Sequence, residues 1–154
     1  MEIELKRAKL RDAETLWDMQ KRSFAALLEK YGDTATNPAA EPLSKTQTRL
    51  NYQSTFYYFI CADGARVGAV RVTDRKDGTP KRISPLFVLP EFRKRGYATR
   101  AVEEIERIHG ASGWELDTIL QEEATCRFYE NLGYRQTGEE KRINSALTLV
   151  FYEK

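Results

Sequence analysis

Hydrophobic and polar positions along this chain of 154 residues fall into two periods, and the switches between them mark out its elements. Ile3, Leu5 and Arg7 open a first strand by alternation. Leu16, Met19, Gln20, Phe24, Leu27 and Leu28 recur at helical spacing and predict a helix to about Tyr31, with Asp12 as N-cap and Gly32 as stop. Residues 33–42 read as a loop, and Ser44 caps a shorter helix through Leu50. Phe56–Cys61 and Val67–Val72 are strands joined at the tight-turn signal Asp63-Gly64, with Gly68 marking a bulge or a close approach. A polar hairpin loop, 74–80, leads into a strand over Lys81–Leu89 that Pro85 interrupts, as a bulge or an edge would.

The second half alternates element types. Pro90 ends the strand, and Ala98, Val102, Ile105 and Ile108 then form a helical stripe that Gly110 stops. Trp114–Leu120 is a fifth strand, with Leu116, Thr118 and Leu120 on one side and Glu115, Asp117 and Ile119 on the other. Glu122–Leu132 is a last helix, with Thr125, Phe128 and Leu132 as its core stripe. Residues 134–142 and 146–153 form a terminal hairpin across Asn144-Ser145. Strands, helices and strands again predict a mixed sheet with helices on its faces.

One junction carries candidate chemistry. Arg93, Lys94, Arg95 and Gly96 lie between a strand and a helix start. A helix N-terminus offers unpartnered N–H groups and a partial positive charge, and Gly96 followed by small Ala98 lets a ligand approach the backbone. Three cations add attraction, so the junction reads as a diphosphate cradle.

Composition narrows the alternatives. The length supports one domain spanning residues 1–154, and 41% hydrophobic with 31% charged residues suits a soluble globular chain. A net charge of +2 argues against nucleic acid or an anionic membrane as partner. Cys61, Cys126 and a lone His109 make neither a disulfide framework nor a metal site. No apolar run approaches a membrane span, and the mixed charges of residues 1–7 do not form a signal peptide, so a reducing cytoplasm is the expected compartment.

Two segments together resemble the GNAT superfamily of N-acetyltransferases. Arg93-x-x-Gly96-x-Ala98 matches its phosphate-binding signature, and Phe128-Tyr129-Glu130-Asn131-Leu132-Gly133-Tyr134 matches its second motif one βα unit later. Residues 114–122 also resemble bacterial members. The resemblance implies a single-domain α/β fold: a mostly antiparallel sheet of six or seven strands, splayed between the fourth and fifth, with about four helices. It implies acetyl-CoA as cosubstrate, no metal, a small-molecule or peptide amine as acceptor, and a possible homodimer.

By the same resemblance, the amides around Lys94, Arg95, Gly96, Tyr97, Ala98 and Thr99 hold the pyrophosphate, with the Arg93 or Arg95 side chain pairing to it or to the ribose phosphate. The backbone of Leu86, Phe87 and Val88 bonds the pantetheine arm as an added strand would. Tyr129 is the general acid, since a phenol suits protonation of a departing thiolate. The family's strand carboxylate before the phosphate turn is missing between Ile83 and Leu89. Asp117, twelve residues before the tyrosine, is then either the general base or a structural salt-bridge partner, with a water relay as a third route. Where most members carry Asn, this chain has Glu122 beside Gln121. Gln121 could take over the pantetheine contact, while Glu122 would attract the acceptor's ammonium. Trp17 is a core residue or a wall of the acceptor pocket, whose variable region also holds Tyr31, Asn37, Glu41, Arg49, Asn51 and Tyr52. A module that binds acyl-CoA without transferring the acyl group is the alternative.

Overall fold

The alternating segments pair into one sheet, described here in a computed structural model covering residues 2–154. Its strands are β1 (Glu4–Arg7), β2 (Thr55–Ala62), β3 (Ala65–Thr73), β4 (Lys81–Val88), β5 (Trp114–Ile119), β6 (Arg135–Arg142) and β7 (Thr148–Glu153). The helices are α1 (Ala13–Tyr31), α2 (Leu43–Asn51), α3 (Tyr97–His109) and α4 (Glu123–Asn131). Strand order is β1-β2-β3-β4-β5-β7-β6, and only β4 and β5 run parallel. The terminal hairpin therefore enters the sheet with its second strand inside, leaving β6 as an edge. That edge is exposed throughout, with Arg135, Glu139, Glu140, Lys141 and Arg142 blunting it against pairing with another chain.

Each face has its own core. Ala101, Val102 and Ile105 of α3 and Cys126 and Tyr129 of α4 pack on Tyr58, Ile60, Val70, Val72, Ile83, Leu116, Val150 and Tyr152. On the other face Leu16 and Met19 of α1 pack on Tyr57, Phe59, Ala69, Phe87 and Leu89. Fully burying each branched or aromatic residue is worth about 1.5–3 kcal/mol, so these two layers hold the sheet between them.

Three local expectations are corrected. Asp12 precedes α1 but does not cap it: its carboxylate accepts from the Lys9 amide at 2.8 Å, closing the 3₁₀ turn over Leu10–Asp12. Ser44 lies inside α2, whose N-cap is Pro42. The helix stripes are also rotated. Ile108 is exposed, as is Thr125, while Phe128 and Leu132 are half-buried and Cys126 and Tyr129 carry the core face of α4.

The β4–β5 pair is where the sheet opens. Only Lys81↔Trp114 and Arg82↔Glu115 pair before the strands diverge. Across β4 the register against β3 slips between Val70↔Leu86 and Val72↔Ile83, which places one extra residue at Ser84-Pro85. Pro85 thus marks a bulge in an interior strand. Gly68 combines both of its expected roles: the β2–β3 register slips beside it at Val67, and the β4 backbone lies directly over it.

Candidate functional site

The turn after β4 is a row of free donors. Its αL residue Gly96, at φ 83°, caps α3, and the first helical bond is Arg100 N–H to the Gly96 carbonyl at 3.1 Å. Among the described residues, the backbone amides of residues 94–99 make no hydrogen bond to protein. A Cβ placed on Gly96 would meet no atom within 4 Å, so the space above the turn is open. Lys94, itself in the left-handed region at φ 63°, and Arg95 are exposed and, among the described residues, form no ion pair. Consecutive amides with nearby cations suit a diphosphate. Tyr97 contributes its amide alone, since its ring is buried in the core.

Arg93 has a different role from the one expected of its side chain. Its Nε donates to the Val88 carbonyl at 2.9 Å and its Nη2 to the Ser23 carbonyl at 2.8 Å, bolting the turn to β4 and α1. The cations left exposed beside the free amides are Lys94 and Arg95, with Arg100 on the exposed first turn of α3 as a third that the motif did not single out.

Leu89 N–H bonds the Val67 carbonyl at 2.8 Å, so the ladder alternation turns the backbone groups of Phe87 toward β3 and those of Leu86 and Val88 away from it. Leu86 and Val88 thus face the gap, while Phe87 is spent on the sheet.

Tyr129 lies at the gap from the α4 side. It is 7% exposed, packed against Phe128, Tyr134 and Tyr152, and its hydroxyl has no hydrogen-bond partner among the described residues. Burial, and secondarily the negative charge of Asp117, push its pKa well above that of an ordinary phenol. It stays protonated at neutral pH. Asp117 enters from the opposite face. One of its oxygens is held by the Arg82 guanidinium; the other, Oδ1, has no partner among the described residues. The salt-bridge role of Asp117 is therefore present in the structure.

Glu122 and Gln121 are both engaged. Glu122 Oε2 accepts from Lys30 at 2.8 Å and from the Tyr31 hydroxyl. Although burial alone would raise it, these two bonds hold the carboxyl below its usual range. The cation it attracts is thus Lys30. Burial, then Glu122, raises the Tyr31 phenol, and Asn144 of the terminal hairpin donates to the Tyr31 carbonyl at 2.9 Å. Gln121 Oε1 accepts from the Thr148 amide at 3.1 Å, which ties it to β7.

The loop residues gather behind the gap. Trp17 is half-buried and donates to the Glu41 carbonyl at 2.8 Å, so it anchors the loop and does not fill the core. Glu41 accepts from Arg49 at 2.7 and 3.0 Å and from Gln20 at 2.9 Å, and Tyr57 donates to Gln20 at 3.2 Å. Asn37 caps a short turn through the Ala39 amide, whereas Asn51 and Tyr52 are exposed. Burial would raise the Glu41 carboxyl, but its bonds to Arg49 hold it below the ordinary value. A depressed carboxyl stabilises the fold above its unfolded pKa of about 4.3, and the gain is lost as pH falls through the folded value. Glu41→Gln is accordingly expected to lower stability at pH 7 by about 1–2 kcal/mol, some 2–8 °C in Tm. The difference from wild type should shrink toward pH 3 in thermal melts; a constant difference would mean that the charge is not what matters.

A recess of about 690 Å³ lies elsewhere, between Arg7, Lys76, Lys81 and His109. It sits at the far end of α3, roughly 20 Å from the Gly96 turn at 1.5 Å per residue. His109 there is held by Asp74 and Tyr58, each at 2.8 Å. The candidate site is the β4–β5 gap with the turn of free amides that follows β4. Among the described residues no group of three His, Cys, Asp or Glu could hold a metal ion, and no helix is long and apolar enough to cross a membrane.

Residues 14–134 match the sequence model of the acetyltransferase (GNAT) family. Solved structures share the architecture at low identity. The ribosomal-protein-S18-alanine N-acetyltransferase of Escherichia coli aligns at TM-score 0.77 and 11% identity, covering 98% of this chain and 92% of its own. The PaiA N-acetyltransferase of Thermoplasma acidophilum, solved with coenzyme A, aligns at 0.69 and 15%, covering all of both chains. The microcin C7 self-immunity acetyltransferase MccE, solved with acetyl-CoA and AMP, aligns at 0.72 and 17%, covering 99% and 92%. No curated protein matches the chain.

Proposed function

The chain belongs to the GNAT acetyltransferase family, and from that premise we propose that it moves an acetyl group from acetyl-CoA to a primary amine by direct attack while both are bound. The observation that carries the reading is the run of free amides at residues 94–99 beside the opened β4–β5 gap. When bound, acetyl-CoA supplies the acetyl group in activated form, as a thioester.

The protein's residues do the rest. The amides of residues 94–99, with Lys94 and Arg95, hold the pyrophosphate, and the gap-facing backbone of Leu86 and the N–H of Val88, whose carbonyl Arg93 already takes, bond the pantetheine arm. Holding donor and acceptor together can by itself lower the barrier by several kcal/mol, up to about 7–11 in well-oriented systems. Asp117, fixed by Arg82 through one oxygen, receives the amine's proton at the other, directly or through water. Tyr129 gives its phenolic proton to the departing sulfur as the nitrogen–carbon bond replaces the carbon–sulfur bond, then regains a proton from solvent. Cys126 is buried, and its thiol is directed to the Ile119 carbonyl, which suits a structural group and not a nucleophile.

Calorimetric titration tests the first step. Wild type is expected to bind acetyl-CoA in the micromolar range. Gly96→Val, which puts a branched side chain at φ 83° in the open space of the cradle, should weaken that binding at least tenfold. If acetyl-CoA does not bind the wild type, the transferase is ruled out together with an acyl-CoA-binding module.

A further inference from the structure

The reading above leaves the acceptor's chemistry open, and the α1–α2 face of the sheet narrows it. Register fixes which side chains share that face. Tyr57 opposes Arg71, Thr73 opposes Arg82, and Arg82 opposes Glu115. Tyr57 packs with α1, so Arg71, Thr73, Arg82, Glu115 and Asp117 all stand on the α1 side. Arg71 and Asp117 are each two residues beyond the Thr73–Arg82–Glu115 rung, in the direction of the gap. They flank the β4 bulge from either side.

Of the acids on this side, Glu41 and Asp117 are already engaged, and Glu115 is exposed and, among the described residues, forms no ion pair with Arg71. Glu41 is taken by Arg49 at 2.7 Å, Lys45 at 3.3 Å and Gln20 at 2.9 Å, and Asp117 is held by Arg82. Arg71 is left over. Its Nε is buried without a hydrogen-bond partner, and among the described residues its side chain makes only one bond, a long one of 3.5 Å from Nη1 to Thr73 Oγ1. Among the described residues no carboxylate lies within ion-pair distance of it. Burial, then Arg49, lowers its pKa only to about 10, so it stays cationic at neutral pH. The other buried side-chain atoms without partners, Ser23 Oγ and Thr46 Oγ1, belong to α1 and α2 above the same face. A partly buried guanidinium that no carboxylate pairs with directly is unfavourable, even with the Glu41 charge nearby, and its planar fork matches an oxyanion. Two strand spacings set roughly 10 Å as the least backbone separation of Arg71 and Asp117, since β4 and β5 are already diverging there, and side chains reaching in from both strands leave room for a small molecule carrying both an amine and an anion.

We infer that Arg71 anchors the acceptor, which bears a carboxylate or phosphate besides its amine: the guanidinium grips the anion and thereby sets the amine beside Asp117. The inference rests on the acetyltransferase reading. Its test is a panel of matched amines assayed for CoA release: glycine, β-alanine and γ-aminobutyrate, each against its carboxamide, and aminoethyl phosphate against ethanolamine. Wild type should favour at least one anionic member tenfold or more in kcat/KM. In Arg71→Gln that preference should fall to near one, chiefly through KM, with acetyl-CoA affinity unchanged; Arg71→Lys should keep part of it. Neutral partners turned over as well by the wild type, or a preference that survives Arg71→Gln, would overturn the inference and leave the transferase intact. Bound acetyl-CoA with no turnover of any amine would count against the transferase reading and remove this inference with it. If Arg71→Gln does not fold, the wild-type pairs and Arg71→Lys decide.

Discussion

Tyr129→Phe is expected to lower kcat by about 10²–10³-fold while acetyl-CoA affinity stays within about twofold. Among the described residues the hydroxyl makes no hydrogen bond, so the packing around it does not depend on it. The ring keeps its contacts with Phe128 at 4.9 Å, Tyr134 at 5.7 Å and Tyr152 at 6.4 Å between centroids. The substitution therefore removes a proton donor and little else. Burial and the nearby Asp117 charge hold the phenol neutral past its ordinary value of 10.0, so ionisation of Tyr129 should not depress wild-type activity below that pH. Pre-steady-state and steady-state rates with any working amine, together with calorimetry of acetyl-CoA binding, separate chemistry from affinity. A variant with unchanged kcat would show that water or another group protonates the sulfur.

Gly68→Ala should be the most damaging small substitution in the sheet. A Cβ at this position would fall well inside contact distance of the Phe87 carbonyl oxygen and 2.9 Å from the Val88 Cα. Both neighbours are backbone, so no flexible side chain can yield, and β3 and β4 must part. Overpacking usually costs about 1–3 kcal/mol and more where the structure is rigid, so we expect a loss of about 3 kcal/mol, or some 6–12 °C in Tm. The displaced strand carries Leu86 and Val88, so acetyl-CoA binding should weaken as well. Gly64→Ala is the control. Gly64 has φ 80° and open space around it, so alanine there meets only backbone strain of about 1–2 kcal/mol. Equal melting shifts for the two variants would show that the close approach at Gly68 relaxes without consequence.

Much of the molecule was legible in short stretches of sequence. The Arg93-x-x-Gly96-x-Ala98 turn lies between β4 and α3 as its pattern required, because a left-handed glycine and an unpartnered helix start are local properties. Pro85 announced a ladder defect, and the register slip lies beside it. Periodicity located the helices but misjudged some of their faces. In α4, nine residues long, Phe128 and Leu132 offered as good a stripe as Cys126 and Tyr129. Only contact with the twisted sheet selects between two such stripes.

The charges were illegible for a plainer reason. Arg82 and Asp117 are 35 residues apart, Tyr31 and Glu122 are 91 apart, and no local period links them. Arg71 was visible as a cation within the apolar run Val67–Val72, but that it lacks a counter-charge follows only once Glu41 and Asp117 are known to be taken. The sequence by itself therefore determined where the chain turns and bulges, since backbone conformation depends on near neighbours. The tertiary structure alone decided which charges meet, which helix faces are buried and which guanidinium no carboxylate pairs with among the described residues, because each of these depends on strands brought side by side across dozens of residues.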